Sequence, residues 1–200
     1  MRTNDPVLRK SEEEAMRKIL AGQILLILCC VFYLIWWYRG YRPGTPANRL
    51  EGANGVLFWI TAALGIAGLT GSLGRIEKKT EPPLAAHTVL IIGVVAYIVL
   101  LLITRTVFRR PVTTELILIA GWTVLEISVI NRLSAAGNLS GRGFAVLCAL
   151  IALAFTVSIV LYVAYYRMEE MKAFYAAMIP LVTEAAAMAA VASILIGQIH

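Results

Sequence analysis

Two glutamates, Glu126 and Glu184, each lie near the middle of a stretch that is otherwise apolar enough to cross a bilayer. A carboxylate at that depth is costly, and in membrane proteins such groups mark proton relays and ion pathways. Two carboxyl groups that are removed from water and lie close together can hold a proton between them or exchange it for a cation. The two residues therefore predict a proton- or cation-binding pair.

The predicted depth of the two glutamates is the same. Glu126 follows Glu115 by 11 residues and Glu184 follows Phe174 by 10, in two predicted spans that cross the membrane in the same direction. At 1.5 Å per residue, both carboxyl groups lie about 15 Å below one membrane face. Trp122 shares the helix face of Glu126, and an indole ring beside a carboxylate is typical of sites for organic cations. The other predicted ligand-binding residues at this level are Tyr97, Thr123 and Thr183.

A cavity above the pair is predicted from the first and last spans. Pro180 lies one turn before Glu184, where its missing N–H favours a bend in the helix. Aromatic residues concentrate near the face opposite the termini, which predicts either a vestibule or an interfacial belt on one side. The predicted cavity-lining residues are Gln23, Cys30, Tyr33, Trp37, Trp59 and Pro180. Four of these residues, Gln23, Cys30, Tyr33 and Trp37, lie on one stripe of the first span. Ordinary helix packing is the alternative role for this stripe.

The elements that hold these residues are predicted from composition and hydropathy. The chain has 200 residues, of which 60% are hydrophobic and 15% charged, and its mean hydropathy is +0.78. This composition excludes a soluble domain and predicts an all-α, polytopic integral membrane protein. We expect a bundle of six transmembrane helices with short loops, near residues 19–38, 56–73, 84–104, 116–131, 144–166 and 174–199. Residues 19–200 then form a single membrane domain, and residues 1–18 a polar segment with a short surface helix.

The charges of the connectors predict the surroundings of the protein. The net charge is +6, with 18 Lys and Arg against 12 Asp and Glu, and it indicates phospholipid headgroups rather than nucleic acid. Arg75, Lys78 and Lys79 after the second span are the predicted headgroup contacts. A slight excess of basic residues on one side predicts cytoplasmic termini in a plasma membrane. Small residues that repeat every four positions, as in Ala63, Ala67 and Gly71, predict close helix packing within the protein or in a homo-oligomer.

No catalytic or metal-binding constellation emerges from the sequence. The chain has only two histidines and three cysteines, whose spacing matches neither a zinc site nor a Ser-His-Asp set. We therefore expect no metal and no cofactor, and an enzyme is the less favoured class.

Three functions remain open on the sequence. The first is a transporter or channel-like protein for a small, possibly cationic solute, which uses the glutamate pair. The second is a noncatalytic membrane partner or scaffold subunit, in which both glutamates only fix the helix packing. The third is a lipid-modifying enzyme with a glutamate as acid or base. The substrate, coupling ion, transport direction and oligomeric state do not follow from the sequence.

Overall fold

The computed structural model describes residues 6–44, 51–73, 114–165 and 167–199, together with residues 82–84 and the single positions 88, 95, 98, 99, 102 and 106. The helices in these ranges are α1 (Pro6–Tyr41), α2 (Gly52–Ser72), α3 (Thr114–Ala135), α4 (Gly141–Tyr165), α5 (Glu170–Ala176) and α6 (Ile179–Ile199). The described part of the chain contains no β-strand. The predicted all-α class is confirmed.

Five described stretches are long and apolar enough to cross a membrane, namely Lys10–Tyr41, Gly52–Ser72, Leu118–Ala135, Gly141–Tyr165 and Glu170–Ile199. They coincide with five of the six predicted spans, and they are the helices of a membrane protein. The third predicted span, residues 84–104, lies almost entirely outside the described residues. Five helices long and apolar enough to span a membrane are therefore shown, and the sixth span stays a prediction.

Helix α1 joins the polar N-terminal segment to the first span without interruption. The sequence predicted a separate surface helix before residue 19, but no proline follows Pro6 until Pro43, so nothing in the backbone ends the helix between them. Two ion pairs at i,i+4 spacing, Arg17 with Glu13 and Lys18 with Glu14, support the charged portion. At 1.5 Å per residue the 36-residue helix is about 54 Å long, well beyond the roughly 30 Å of a hydrocarbon core.

The chain forms two compact units. The first unit comprises Met1–Ile76 and Thr156–His200, and the second comprises Glu77–Phe155. Within the first unit, α1 packs against both α2 and α6.

Helices α1 and α2 pack with their backbones in contact. A Cβ atom added to Gly71 would lie 2.9 Å from Gly22 Cα, and one added to Gly68 would lie 2.9 Å from the backbone nitrogen of Leu26. Only glycine allows this approach, which is a common way for membrane helices to associate. Of the small-residue face predicted on α2, Gly71 lies in this contact, whereas Ala63 and Ala67 are exposed.

A tight connection joins α3 to α4 in the second unit. Gly137 has φ +77°, and the N–H of Asn138 donates to the carbonyl of Leu133 over 3.0 Å, which closes α3 with a Schellman motif. Ser140 then accepts a hydrogen bond from the N–H of Gly143 at 3.1 Å and caps α4. Local sequence therefore sets both ends of this connection.

The last predicted span, residues 174–199, is divided into two helices. Helix α5 ends at Ala176 and α6 begins at Ile179. Because Pro180 has no N–H, the carbonyl of Ala176 lacks its normal intrahelical donor. The predicted bend near Pro180 thus corresponds to a break in the helix at residues 177–178, nearly two turns before Glu184.

Candidate functional site

Glu184 is a buried carboxyl group of α6 that contacts the last part of α4, residues 156–165, which belongs to the first unit. Its residue is 7% exposed, and its Oε1 accepts a hydrogen bond of 3.3 Å from the hydroxyl of Ser158 on α4, which is fully buried. The apolar α6 sequence around Glu184 forms the helix, and the buried face of α6 places the carboxyl group inside the protein. No local pattern in the sequence pairs Ser158 with Glu184, because the two residues are 26 positions apart.

The backbone near the helix break positions Thr183. Its hydroxyl donates to the carbonyl of Pro180 at 2.8 Å, and the N–H of Val182 donates to the carbonyl of Met178 at 3.3 Å. The Thr183 hydroxyl therefore makes a local bond within α6 to a carbonyl three residues earlier, and its role as a ligand-binding group stays a prediction. Only its oxygen lone pairs remain as acceptors.

Aromatic side chains from three helices form an aromatic cluster in the first unit. The ring of Trp37 stacks on Tyr41 at 4.2 Å and 11°, and on Phe174 at 6.5 Å and 15°. Trp36 contacts Phe58 of α2 at 5.6 Å. These distances are those of favourable aromatic pairs. One face of the Trp37 ring thus packs on Tyr41, and its buried indole N–H has no acceptor among the described residues.

The predicted stripe on α1 divides between two environments. Tyr33 contacts Trp36 at 5.3 Å and joins the aromatic cluster with Trp37. Gln23, which is fully buried, donates from Nε2 to Ser72 Oγ on α2 at 3.3 Å. Cys30 is also buried, at 8% exposure. For Gln23 the structure shows a helix-packing contact, which was the alternative in the sequence analysis.

The aromatic cluster and Glu184 lie on opposite sides of the helix break. Phe174 of the cluster is on α5, ten residues before Glu184 on α6. Trp59, also predicted to line a cavity, lies elsewhere. It is 70% exposed and lines a groove on the outer face of α2.

Glu126 is the corresponding buried carboxyl group of the second unit. It is fully buried on α3, and more than half of the apolar window of that helix is buried, against a third or less in the other four spans. Thr123 donates its hydroxyl to the carbonyl of Ile119 at 2.9 Å. The indole N–H of Trp122 is buried and meets no acceptor within the described part of the chain. The least apolar span is thus the one most enclosed by protein.

No family model, curated protein or solved structure matches this chain. Its function is therefore argued from these side chains alone.

A polar contact that the sequence analysis missed lies five residues beyond Glu126. Asn131 is 6% exposed, and its Nδ2 donates to the carbonyl of Leu84 at 2.6 Å while its Oδ1 accepts from the N–H of Leu84 at 2.9 Å. Both bonds are to the backbone immediately after Pro82 and Pro83. The sequence shows a carboxamide within an apolar span, which could have marked Asn131. It does not show the partner, because Leu84 lies 47 residues earlier.

Several predicted site features stay predictions. Glu126 and Glu184 belong to different units, so each carboxyl group is described by itself and their pairing is untested. Tyr97, Arg75, Lys78 and Lys79 lie outside the described residues. Within the described ranges, no group of three or more His, Cys, Asp or Glu side chains is placed to hold a metal ion.

Proposed function

We propose that this protein moves a small solute across a membrane and uses the carboxyl groups of Glu126 and Glu184 to bind a proton or a cation. The observation that carries the proposal is their burial, since Glu126 is fully buried and Glu184 is 7% exposed in helices long enough to span a bilayer. Such positions are expensive for an acid, and most intramembrane acids of this kind have roles in ion or proton movement.

The contact with Ser158 gives Glu184 a way to exist in both charge states. The Ser158 hydroxyl donates to the ionised carboxylate, which offsets part of the cost of its burial. When the carboxyl group takes up a proton, the same hydroxyl oxygen can accept a hydrogen bond from it. A cation binds only the ionised form, so cation binding at Glu184 is linked to release of the proton.

The helix break supports movement near the carboxyl group. Broken helices occur at the binding sites of many transporters, where freed backbone groups and flexible segments lie beside the solute. Here the break between α5 and α6 precedes Glu184 by one to two turns. A change in the angle between the two helices would alter access to the carboxyl group without breaking the Thr183 contact to Pro180.

The remaining parts of the proposal concern the setting of the protein. We place it in the plasma membrane with cytoplasmic termini, six spans and residues 84–104 as the third. We also retain a homo-oligomer through small-residue faces, because Ala189, Ser193 and Gly197 of α6 are exposed at the predicted spacing.

A structural membrane partner is the second candidate. The hydrogen bond from Ser158 to Glu184 joins two helices, and a protonated glutamic acid in such a contact can serve helix packing alone. The close backbone contact of α1 with α2 is the packing expected of such a protein.

Proton release by the purified full-length protein distinguishes the two candidates. In a weakly buffered detergent solution with a pH-sensitive dye, we would add Na⁺ or the organic cation tetraphenylphosphonium to wild type, Glu126→Gln and Glu184→Gln. Glu170→Gln is the matched control, because Glu170 is exposed on α5. We expect cation-linked proton release in wild type and the control, and its loss in both buried variants.

Two outcomes would contradict transport. Equal release from all four proteins would assign the protons to surface groups. No release from wild type, together with reduced stability of Glu126→Gln and Glu184→Gln, would favour the structural partner.

A further inference from the structure

The outer face of α2 carries an apolar groove that the proposed transport site does not use. Its residues recur at intervals of three and four, so they occupy one face of the helix. They are Gly52, Gly55, Val56, Trp59, Ile60 and Ala63. From Gly52 to Ala63 the groove extends roughly 16 Å along the helix axis, which is close to the roughly 15 Å thickness of one leaflet of the hydrocarbon core.

The exposure of the groove shows that no described part of the chain covers it. Trp59 is 70% exposed and Val56 is 59% exposed. At the head of the groove, near the start of α2, Gly52 has open space within 4 Å of the position that a Cβ would take. The head of the groove is therefore open at Gly52.

A positive charge is fixed at the head of the groove. The exposed Arg39 of α1 donates from Nε to Oδ1 of Asn54 at 3.1 Å, and Asn54 lies between the two glycines of the groove. Among the described carboxylates, none forms an ion pair with Arg39. The Asn54 contact uses only one of its five N–H donors, which leaves both terminal nitrogens for a phosphate.

Among the described residues, the other charges near this end are Arg42 and Glu51. Arg42 lies one turn after Arg39 and adds a second positive charge, while its guanidinium sits 5.3 Å from the ring centre of Tyr38. Glu51 precedes α2 and carries the opposite charge, but its side chain makes no capping hydrogen bond. Positive charge thus exceeds negative charge at the head of an apolar groove.

We propose that this groove binds one anionic phospholipid. Its phosphate lies at Arg39, and one acyl chain runs along Val56, Trp59 and Ala63. Arginine suits phosphate because its planar donors can bind two oxygens at once, and tryptophan is favoured at the level where headgroups meet acyl chains. The guanidinium of Arg39 therefore matches the phosphate. The exposed indole of Trp59 matches the level where the headgroup meets the acyl chains, and the apolar groove matches an acyl chain.

Quenching of Trp59 by brominated lipids tests this site. The full-length protein is reconstituted in phosphatidylcholine vesicles that contain brominated phosphatidylglycerol or, separately, brominated phosphatidylcholine. A Trp59→Phe variant isolates the contribution of Trp59 from that of the other tryptophans. One arginine near an anionic headgroup predicts about a fivefold preference for phosphatidylglycerol.

Matched variants locate the two ends of the lipid. We expect Arg39→Gln to abolish the preference and Arg167→Gln, which removes an exposed arginine before α5, to retain it. Ala63→Phe fills the groove and should reduce quenching by phosphatidylglycerol severalfold. Ala67→Phe, on an exposed position one turn farther along α2, should not.

Four results would overturn the proposal. They are equal quenching of wild type by both lipids, equal loss of preference in the two arginine variants, equal effects of the two phenylalanine variants, and no quenching by either lipid. The last would mean that a second protein surface covers the groove.

Discussion

The contact between Gly22 and α2 makes the sharpest prediction about stability. In Gly22→Ala the new Cβ would lie 2.7 Å from the carbonyl carbon of Gly71 and still closer to the backbone nitrogen of Ser72. Ordinary contacts between carbon atoms are about 3.5–4.0 Å, so α1 and α2 must part by about 1 Å. Backbone atoms cannot rotate away as a flexible side chain can, and the strain therefore reaches both helices.

The cost of this separation has three parts. Overpacking of a close contact costs about 1–3 kcal/mol. Stretching the hydrogen bond from Gln23 to Ser72, already 3.3 Å long, adds about 1 kcal/mol for a pair within a membrane. Replacement of a glycine by alanine within a helix raises the free energy of unfolding by about 1 kcal/mol, because alanine has the higher helix propensity. The net expected loss in the free energy of unfolding is about 1–3 kcal/mol.

Gly65→Ala is the matched control for Gly22→Ala. Its Cβ would meet only the Cys29 sulfur, at 3.4 Å, which is close to an ordinary contact. We would unfold both variants and wild type with increasing dodecyl sulfate in maltoside micelles and follow helicity by circular dichroism. Gly65→Ala should match wild type or exceed it slightly. If Gly22→Ala is as stable as Gly65→Ala, the backbone contact between α1 and α2 is refuted.

Three further predictions concern single hydrogen bonds and one turn. Ser158→Ala should lower the free energy of unfolding by about 0.6–1.7 kcal/mol in the same assay, because it removes an interhelical bond, whereas Ser158→Thr should retain most of it. Asn131→Leu should cost about 2–3 kcal/mol and accelerate hydrogen exchange at the Leu84 amide, since two backbone groups lose their partner. Gly137→Ala should cost about 1 kcal/mol because of its positive φ, while Gly121→Ala, with open space around it, should cost nothing.

Each of these predictions has a clear contrary result. Equal stability of Ser158→Ala and Ser158→Thr at the wild-type level would mean that the hydroxyl contributes nothing to packing. Unchanged exchange at Leu84 in the Asn131 variant would show that the carboxamide does not hold that backbone. Equal effects of the Gly137 and Gly121 substitutions would remove the need for a left-handed residue after α3.

The positions of the helices could be predicted because the signal for a membrane span is a local property. Some 18 or more apolar residues in a row mark a span wherever the rest of the chain lies. The end of α3 just before Gly137 and the break near Pro180 are likewise set by residues within one or two turns. The sequence did not show that the polar N-terminal segment and the first span form one continuous helix. A charged segment can form a helix of its own or extend a membrane helix, and its composition is the same in both cases.

The contacts of the candidate site could not be predicted in the same way. Gln23 lies on a stripe that could have faced a cavity, and only the register of α1 against α2 places it on Ser72. That register depends on where glycines of two distant helices meet. Asn131 and Leu84 are separated by 47 residues, and no local pattern connects them. Glu126 and Glu184 are buried in the protein, whereas their equal depth in the membrane and their proximity stay predictions.

Because α1 is one long helix, its projecting end is rigidly connected to the part that packs inside the bundle. About 24 Å of this helix exceeds the thickness of a hydrocarbon core, and its charged first turns continue rigidly into the portion that packs on α2 and α6. A force on the charged end therefore tilts or shifts the same rod that contacts both neighbours inside the bundle. A partner that bound only this projecting end could therefore shift α1 against α2 and α6 without itself entering the bilayer.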